Sequence, residues 1–231
     1  MEGNYLGTLM QSNPDYRLLL ALAEELKLPL LQIARTSEFS GSEAVQRTAE
    51  MALKLVDGYV LGLQSTDQVS LRLEPVTLAS ILYDTAEALA PIAKQQGYEL
   101  RVDIGGKFGP VMGDRHTLQT AFTVLGYELM TVPAEDTASV LTLATHRGKP
   151  GIVAGIFTNN TLLTKDSLRR ARALVGTARQ TMPTGSASNG VGIFIADNLL
   201  KNLSTSLNLA RHHKQTGLAT SLLPSRQLQL V

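Results

Sequence analysis

The 231-residue chain contains no cysteine, few aromatic residues (5%) and no long apolar run. Without cysteine it has neither a disulfide framework nor a thiolate metal site, which suits a reducing compartment. The longest apolar run, Leu18 to Ala23, has six residues, whereas a membrane helix needs roughly 18 to 20. The amino terminus has no basic stretch ahead of an apolar one, unlike a signal peptide. We therefore expect a soluble, cytoplasmic protein.

The net charge of +1 conceals a strong asymmetry along the chain. Residues 1–14, 15–67 and 68–138 carry −1, −3 and −4, while residues 139–231 carry two acids and eleven bases, or +9. Such a basic segment can attract a nucleotide, a nucleic acid or an acidic protein face. The alternative, equally open from the sequence, is that it neutralises the acidic half of the same chain.

The first domain, residues 1–67, is predicted to be a helical hairpin. A helix over residues 16–36 would gather apolar side chains on one face, because they recur every three or four residues. These are Leu18, Leu22, Leu26, Leu30 and Ile33. Pro29 lies inside this helix and should kink it. The turn Ser40-Gly41-Ser42 precedes the second helix.

The second helix, which runs to about Leu63, carries a heptad seam. Its members are Val45, Ala49, Ala52, Val56, Tyr59 and Leu63, at spacings of four and three. Two helices cannot bury two apolar faces in isolation, whereas a second copy would close a four-helix bundle. We therefore expect a homodimer. The alternative is that the hairpin packs on the rest of its own chain.

The second domain, residues 68–231, alternates between strand and helix patterns. Strands are predicted at residues 69–73, 98–104, 140–145, 152–157, 206–211 and 219–223, and helices at 76–96, 114–132, 166–175 and 190–203. Residues 176–189 are rich in small residues and predict a loop. Antiparallel strands with helices on one face make an α+β sandwich.

This order resembles a sensor histidine kinase core, with a dimerisation hairpin and an ATPase-like domain of the GHKL superfamily. The resemblance covers residues 16–224. It rests on residues 23–30, which are similar to the first-helix motif Ser-His-Glu-Leu-Arg-Thr-Pro-Leu, and on residues 73–78, the join between domains. It also rests on residues 113–125, the entry to the nucleotide-site helix, and on residues 188–193 with 217–224, the late glycine box and terminal strand.

One departure concerns phosphoryl transfer. Where the family has its phosphorylated histidine, this chain has Glu24, and a carboxylate cannot form a phosphoramidate. The histidines are His116, His146, His212 and His213, so neither helix of the hairpin has one. We expect no kinase or phosphotransferase activity of the usual kind, as in a pseudo-histidine kinase.

The nucleotide site implied by the resemblance is also altered. Glu128 stands where the family has a magnesium-binding asparagine, so it is either an oxygen ligand for a cation or a surface residue. Asn159 follows the strand where the family has its adenine-reading aspartate, and is otherwise a turn residue. Gly190 and Gly192, after Asn189, leave room for phosphate at a helix N-terminus or serve helix packing. ATP with magnesium remains an alternative, but we expect no cofactor.

Two other groups of residues do not indicate a site. His212 and His213 are adjacent, so in a strand their rings point to opposite faces and chelate poorly. We therefore predict no metal site. The arginines 169, 170, 172 and 179 cluster beside the predicted loop, where they form either a solvated face or a phosphate contact. The role of Arg169, Arg170, Arg172 and Arg179 is left open.

The favoured function is non-catalytic binding of a receiver domain or a partner kinase, by which the chain would sequester, scaffold or inhibit its partner. The surface implied by the resemblance lies on the first helix and comprises Glu24, Glu25, Lys27, Leu28 and Gln32. One alternative is a residual nucleotide-binding ATPase of the same superfamily. Another is a polyanion-binding module that uses the basic segment, although nucleic acid is not the partner we expect.

Overall fold

The computed structural model describes residues 14–39, 41–65, 71–130, 139–149, 151–159, 163–173 and 190–225. The chain divides into two compact units, one up to Leu71 and one from Arg72. None of the helices in the described ranges combines the length and hydrophobicity needed to cross a membrane.

The part of the first unit that the structure describes forms two helices, α1 (Pro14–Phe39) and α2 (Glu43–Ser65). They pack against each other along their length. The turn between them is closed by a hydrogen bond from the Ser42 N–H to the Ser37 carbonyl, at 2.9 Å. Lys27 and Asp57, at similar distances on either side of this turn, form an ion pair of 3.0 Å, so the helices run antiparallel. The predicted helices are therefore present as a hairpin.

In its described residues, the second unit contains a five-stranded sheet, a two-stranded sheet and four helices. In chain order these are β1 (Glu74–Val76), α3 (Leu78–Gln95), β2 (Tyr98–Ile104), β3 (Val111–Gly113), α4 (Arg115–Leu129), β4 (Ser139–Arg147), β5 (Ile152–Thr158), α5 (Lys165–Arg172), α6 (Val191–Asn202), β6 (Asn208–His212) and β7 (Gln215–Leu222). The main sheet has the order β2-β4-β5-β7-β6, and β1 pairs with β3. The predicted α+β fold is confirmed.

Two details of the sheet differ from the sequence prediction. Residues 71–73 are not in a strand, and β1 lies further along, at Glu74–Val76, because Val111–Gly113 supplies its antiparallel partner there. Residues 69 and 70 lie outside the described ranges. The strands are also not all antiparallel: β2 and β4 are parallel, since α4 lies in the crossover between them.

The core of the second unit lies between the helices and the main sheet. α3 packs on β2 and β4, α4 packs on β5, and α6 packs on α4. Fully buried large side chains include Ile81, Leu82, Leu89, Leu118, Phe122, Leu125, Leu141, Leu143, Ile156 and Phe157. The helices approach closely at Gly126, where a Cβ atom would lie 2.3 Å from the Leu89 Cδ1 atom. A side chain at this position would therefore force the Leu89 side chain to shift within the packed core.

Candidate functional site

Helices α4 and α6 meet at Glu128 and the start of α6. The Glu128 carboxylate accepts hydrogen bonds from the backbone N–H of Gly190, at 2.8 Å, and of Gly192, at 2.9 Å. The first N–H groups of a helix have no partner within the helix and carry partial positive charge, so they bind anions. At this position the bound anion is the chain's own carboxylate.

The two glycines are required by the geometry of this contact. Gly190 has a φ of +74°, in the left-handed region that favours glycine. A Cβ atom on Gly192 would lie 2.8 Å from both Cβ and Oε2 of Glu128. Glycine at 192 therefore lets α6 approach α4 until Glu128 reaches the N–H groups. In the structure both glycines serve helix packing, and their predicted role at a phosphate stays a prediction.

The predicted nucleotide-site residues are only partly brought together. Glu128, Gly190 and Gly192 form one cluster, and Glu128 is not the solvated surface residue that was one of its predicted roles. Asn159 has a separate contact: its Oδ1 accepts a hydrogen bond from the Val140 N–H at 2.8 Å, which joins the end of β5 to the start of β4. Asn189 lies outside the described residues.

Asp114 caps the entry to α4. Its Oδ1 accepts from the Thr117 N–H at 2.8 Å and its Oδ2 from the Arg72 N–H at 2.9 Å. Burial raises the pKa of Asp114, but these backbone hydrogen bonds outweigh burial and hold it below its usual value. Asp114 therefore fixes both the helix start and the segment that leads into β1.

Of the described arginines in the basic cluster, Arg172 makes contacts within the protein and the others lie on the surface. Arg172 forms a bidentate pair with Asp197, with both N–O distances at 2.9 Å, and donates to the Leu207 carbonyl at 2.7 Å. Arg169 pairs with Asp166 at 3.1 Å, both being exposed. Arg170 is also exposed, and Arg179 lies outside the described residues. Arg172 therefore holds α5 to α6, although its side chain is partly exposed to solvent.

Asp197 is the buried member of this pair, with 2% of its side chain exposed. It also accepts from Lys201 at 2.8 Å and from the Leu207 N–H at 3.0 Å. Burial raises the pKa of Asp197, but the hydrogen bonds from Arg172, Lys201 and Leu207 together lower it below its usual value. The carboxylate is therefore ionised at neutral pH and connects α6 with the segment before β6.

The predicted partner surface on α1 is described in part. Lys27 is paired with Asp57, and Gln32 is exposed. The side chains of Glu24, Glu25 and Leu28 lie outside the described set. The sequence-predicted role of these five residues stays a prediction.

The seam on α2 is buried at one position and open at another. Ala49 is 3% exposed, whereas Val45 is 46% exposed. The other members, Ala52, Val56, Tyr59 and Leu63, are half-buried. On α1, Leu26 and Ile33 of the predicted apolar face are exposed as well. A single chain thus leaves much of this apolar surface uncovered.

The expectation that His212 and His213 diverge is wrong. His212 ends β6, but His213 lies in the following turn with a φ of +51° instead of continuing the strand. Both rings therefore reach the same carboxylate, Asp103, through their Nε2 atoms. No sequence signal indicates Asp103, because its proximity to the histidines depends on how the strands β2 and β6 are brought together by the sheet.

No known protein family and no curated protein sequence matches the chain. Several solved structures, however, match the chain. Full-length ShkA in complex with AMPPNP matches 90% of the chain with a TM-score of 0.61 at 18% identity, and the chain spans about half the length of ShkA (46%). The Acinetobacter baumannii histidine kinase AdeS matches 87% of the chain and 96% of its own length (TM-score 0.52, 12% identity).

The nucleotide-free catalytic domain of the histidine kinase ThkA matches over 66% of the chain and 95% of its own length, with a TM-score of 0.51 at 6% identity. At these identities the comparisons establish the fold and not the activity. The chain therefore shares its fold with histidine kinases and their catalytic domain.

Proposed function

We propose that this protein is a non-catalytic, two-component-type signalling protein of the cytoplasm that acts by binding a receiver domain or a partner kinase. The observation that carries the proposal is the Glu128 carboxylate on the N–H groups of Gly190 and Gly192. In the family that the chain resembles, the late glycine box is where phosphate oxygens approach. A phosphate at this helix start would have to displace a tethered carboxylate of the same charge.

The hairpin supports the same conclusion. Residues 14–65 contain no histidine, and Glu24 stands at the position of the acceptor. Phosphoryl transfer through a phosphoramidate needs an imidazole nitrogen, which neither helix supplies. The family's chemistry would therefore be lost at both ends, at the phosphate site and at the acceptor. Its helical surface for protein contacts would remain.

A homodimer through the hairpin is part of the proposal. Leu26, Ile33 and Val45 are 55%, 45% and 46% exposed in the single chain. All three belong to the apolar faces that the sequence assigns to a four-helix bundle. Exposed apolar surface of this kind is typical of a protein–protein contact. A second copy would cover it and leave the outer surface of α1 for the partner.

Nucleotide titration of the full chain tests the catalytic half of the proposal. We expect Mg-ATP to bind wild type more weakly than about 1 mM, and labelled ATP to leave the chain unlabelled. Glu128→Ala frees the two N–H groups and should bind nucleotide more tightly than wild type. Glu87→Ala, which removes an exposed glutamate on α3, is the matched control and should behave as wild type. Micromolar binding to wild type, or an acid-labile label on it, would contradict the proposal.

Direct binding tests the other half. Purified receiver domains and kinase cores from the source cell are titrated against the full chain by calorimetry. Leu28→Ala should weaken binding by about 1–2 kcal/mol or more if this residue is an interface anchor. Leu223→Ala truncates an exposed leucine of the second unit and should bind as wild type. If Leu28 instead fills the helix core, its truncation costs about 2–5 kcal/mol of stability. A Leu28→Ala variant that loses stability but binds its partner normally would refute the proposed partner surface on α1.

A further inference from the structure

Asp103, His212 and His213, which we name the histidine cluster, come together from distant parts of the second unit. Asp103 lies on β2, His212 ends β6, and β2 and β6 are the two edge strands of the main sheet. Nε2 of His212 lies 2.9 Å from Oδ2 of Asp103, and Nε2 of His213 lies 3.4 Å from the same oxygen. The sheet therefore coils strongly enough for side chains of its two edges to meet.

The backbone at His213 makes this arrangement possible. In a continuing strand the two imidazoles would point to opposite faces. The φ of +51° at His213 is uncommon for a residue other than glycine. It places the two rings edge to face with their centroids 4.4 Å apart. Uncommon backbone conformations of this kind cluster at functional sites. Here the conformation directs a second imidazole at Asp103.

We propose that the histidine cluster binds a divalent transition-metal ion, with zinc as the representative. Its three ligand atoms all lie within 4.8 Å of one another. At metal–ligand distances of about 2.0–2.1 Å, the ligand atoms of a tetrahedral zinc site are roughly 3.3 Å apart. The two distances to Asp103 bracket this value. Small side-chain movements would therefore convert the cluster into three ligands of one ion.

The donor set decides the class of ion. Two imidazole nitrogens and one carboxylate oxygen suit zinc, copper, nickel and iron, whereas magnesium and calcium prefer oxygen ligands throughout. Three protein ligands leave a coordination position for water, as in zinc sites that are not closed. The His213 side chain is 77% exposed, so an ion can enter from solvent.

The surroundings of His212 hold its ring in place. His212 is 11% exposed at the side chain. Its ring stacks on His146 with centroids 6.0 Å apart and lies 5.1 Å from the ring of Phe157. Neighbours that fix a ligand's orientation strengthen metal binding. Because the cluster joins both sheet edges, a bound ion would tie the β6–β7 turn to β2. The inference does not depend on the proposed signalling function.

Zinc titration of the untagged full chain, in competition with a chromophoric chelator, tests the inference. We expect one ion per chain with a dissociation constant of about 1 µM or lower. His213→Ala removes the most exposed ligand and should weaken binding about tenfold or more, as should Asp103→Asn. His116→Ala removes an exposed histidine on α4, outside the cluster, and should leave the affinity within about twofold, the scatter expected of a surface change.

Two further measurements make the result decisive. Thermal unfolding without metal should give similar curves for wild type and His213→Ala, which separates lost ligation from lost folding. Imidazole nitrogen NMR signals of His212 and His213 should shift on addition of one equivalent of zinc. The proposal is overturned if wild type binds no more tightly than His213→Ala, if His116→Ala weakens binding equally, or if these imidazole signals stay unchanged.

Discussion

The two units of the chain bury their apolar side chains to very different degrees. In the second unit, large side chains such as Phe122 and Leu125 are fully buried. In the hairpin, the described buried apolar residues are Ala23, Ala34, Ala49 and Val60, while Leu26, Leu31, Ile33, Phe39 and Val45 are exposed. The second unit thus has a core of its own, whereas the described part of the hairpin leaves large apolar side chains exposed. The proposed dimer and partner contacts would account for this contrast.

The largest expected effect comes from truncating a buried phenylalanine of the second unit, compared with truncating an exposed phenylalanine of the hairpin. Phe122→Ala should destabilise the second unit by about 3–5 kcal/mol, because Phe122 is 0% exposed and its truncation leaves a cavity. Phe39→Ala, at a side chain that is 90% exposed in the hairpin, should change stability by less than about 0.5 kcal/mol. Urea unfolding of both variants measures the difference. Equal losses in the free energy of unfolding would contradict the conclusion that the second unit has a core of its own.

Charge in the seam of α2 should have the next largest effect. Replacing Ala52 and Val56 by glutamate would put uncompensated charge into the proposed bundle. We expect the dissociation constant of the dimer to rise about 100-fold or more, which is a loss of about 2.7 kcal/mol of association free energy. The second unit should unfold as in wild type. Sedimentation velocity reports the oligomeric state. A wild-type chain that is monomeric at about 10 µM would remove the basis of this prediction.

Asp197→Asn should cost about 2 kcal/mol at pH 7. This is less than the loss for a fully buried pair, because the Arg172 side chain is 37% exposed and solvent screens it. The folded-state pKa of Asp197 is lowered from its unfolded value of about 3.9. Its contribution is therefore complete above that value and is lost as pH falls through the lower, folded pKa. Urea unfolding at pH 7 and pH 3 should show the gap between variant and wild type narrowing in acid. An undiminished gap would rule out this charge effect.

The smallest effect compares two side chains of similar exposure, Leu26 at 55% in the hairpin and Tyr83 at 58% in α3. If a second copy covers the hairpin, Leu26→Ala should weaken the dimer by about 1–2 kcal/mol. Tyr83→Ala should leave dimerisation within about 0.5 kcal/mol of wild type. Concentration-dependent thermal melting separates these outcomes. Equal behaviour of the two variants would place the dimer contact elsewhere.

Predictions that rest on local signals agree with the structure. The helix predicted over residues 76–96 is found as α3 and is followed by Gly97, with a φ of +76°. The strand predicted at 98–104 is found at Tyr98–Ile104, and the strands predicted at 140–145 and 152–157 are found as β4 and β5. The turn between β4 and β5 is closed by a hydrogen bond from the Gly148 N–H to the Gly151 carbonyl at 2.8 Å. These features depend on residues that are close in sequence.

Predictions that depend on a distant partner were less accurate. β7 begins at Gln215, earlier than the predicted start at residue 219, because it pairs with β5. Gly217 lies before the predicted strand, but a Cβ atom there would lie 2.0 Å from the Ile156 carbonyl oxygen, so the pairing requires glycine. The boundaries of the short strands β1 and β3 likewise depend on a distant partner, because these two strands pair with each other.

The amino-acid sequence by itself determined the helices, most of the strands, the absence of a histidine from the hairpin and the histidine-kinase-like order of elements. Only the tertiary structure decided that Glu128 binds the glycine N–H groups 62 and 64 residues away, and that His212 meets Asp103 across 109 residues. The physical reason is the separation along the chain over which each kind of interaction acts. Periodicity and turn residues act over a few residues of chain, whereas a carboxylate finds its donors only after helices have packed and a sheet has coiled.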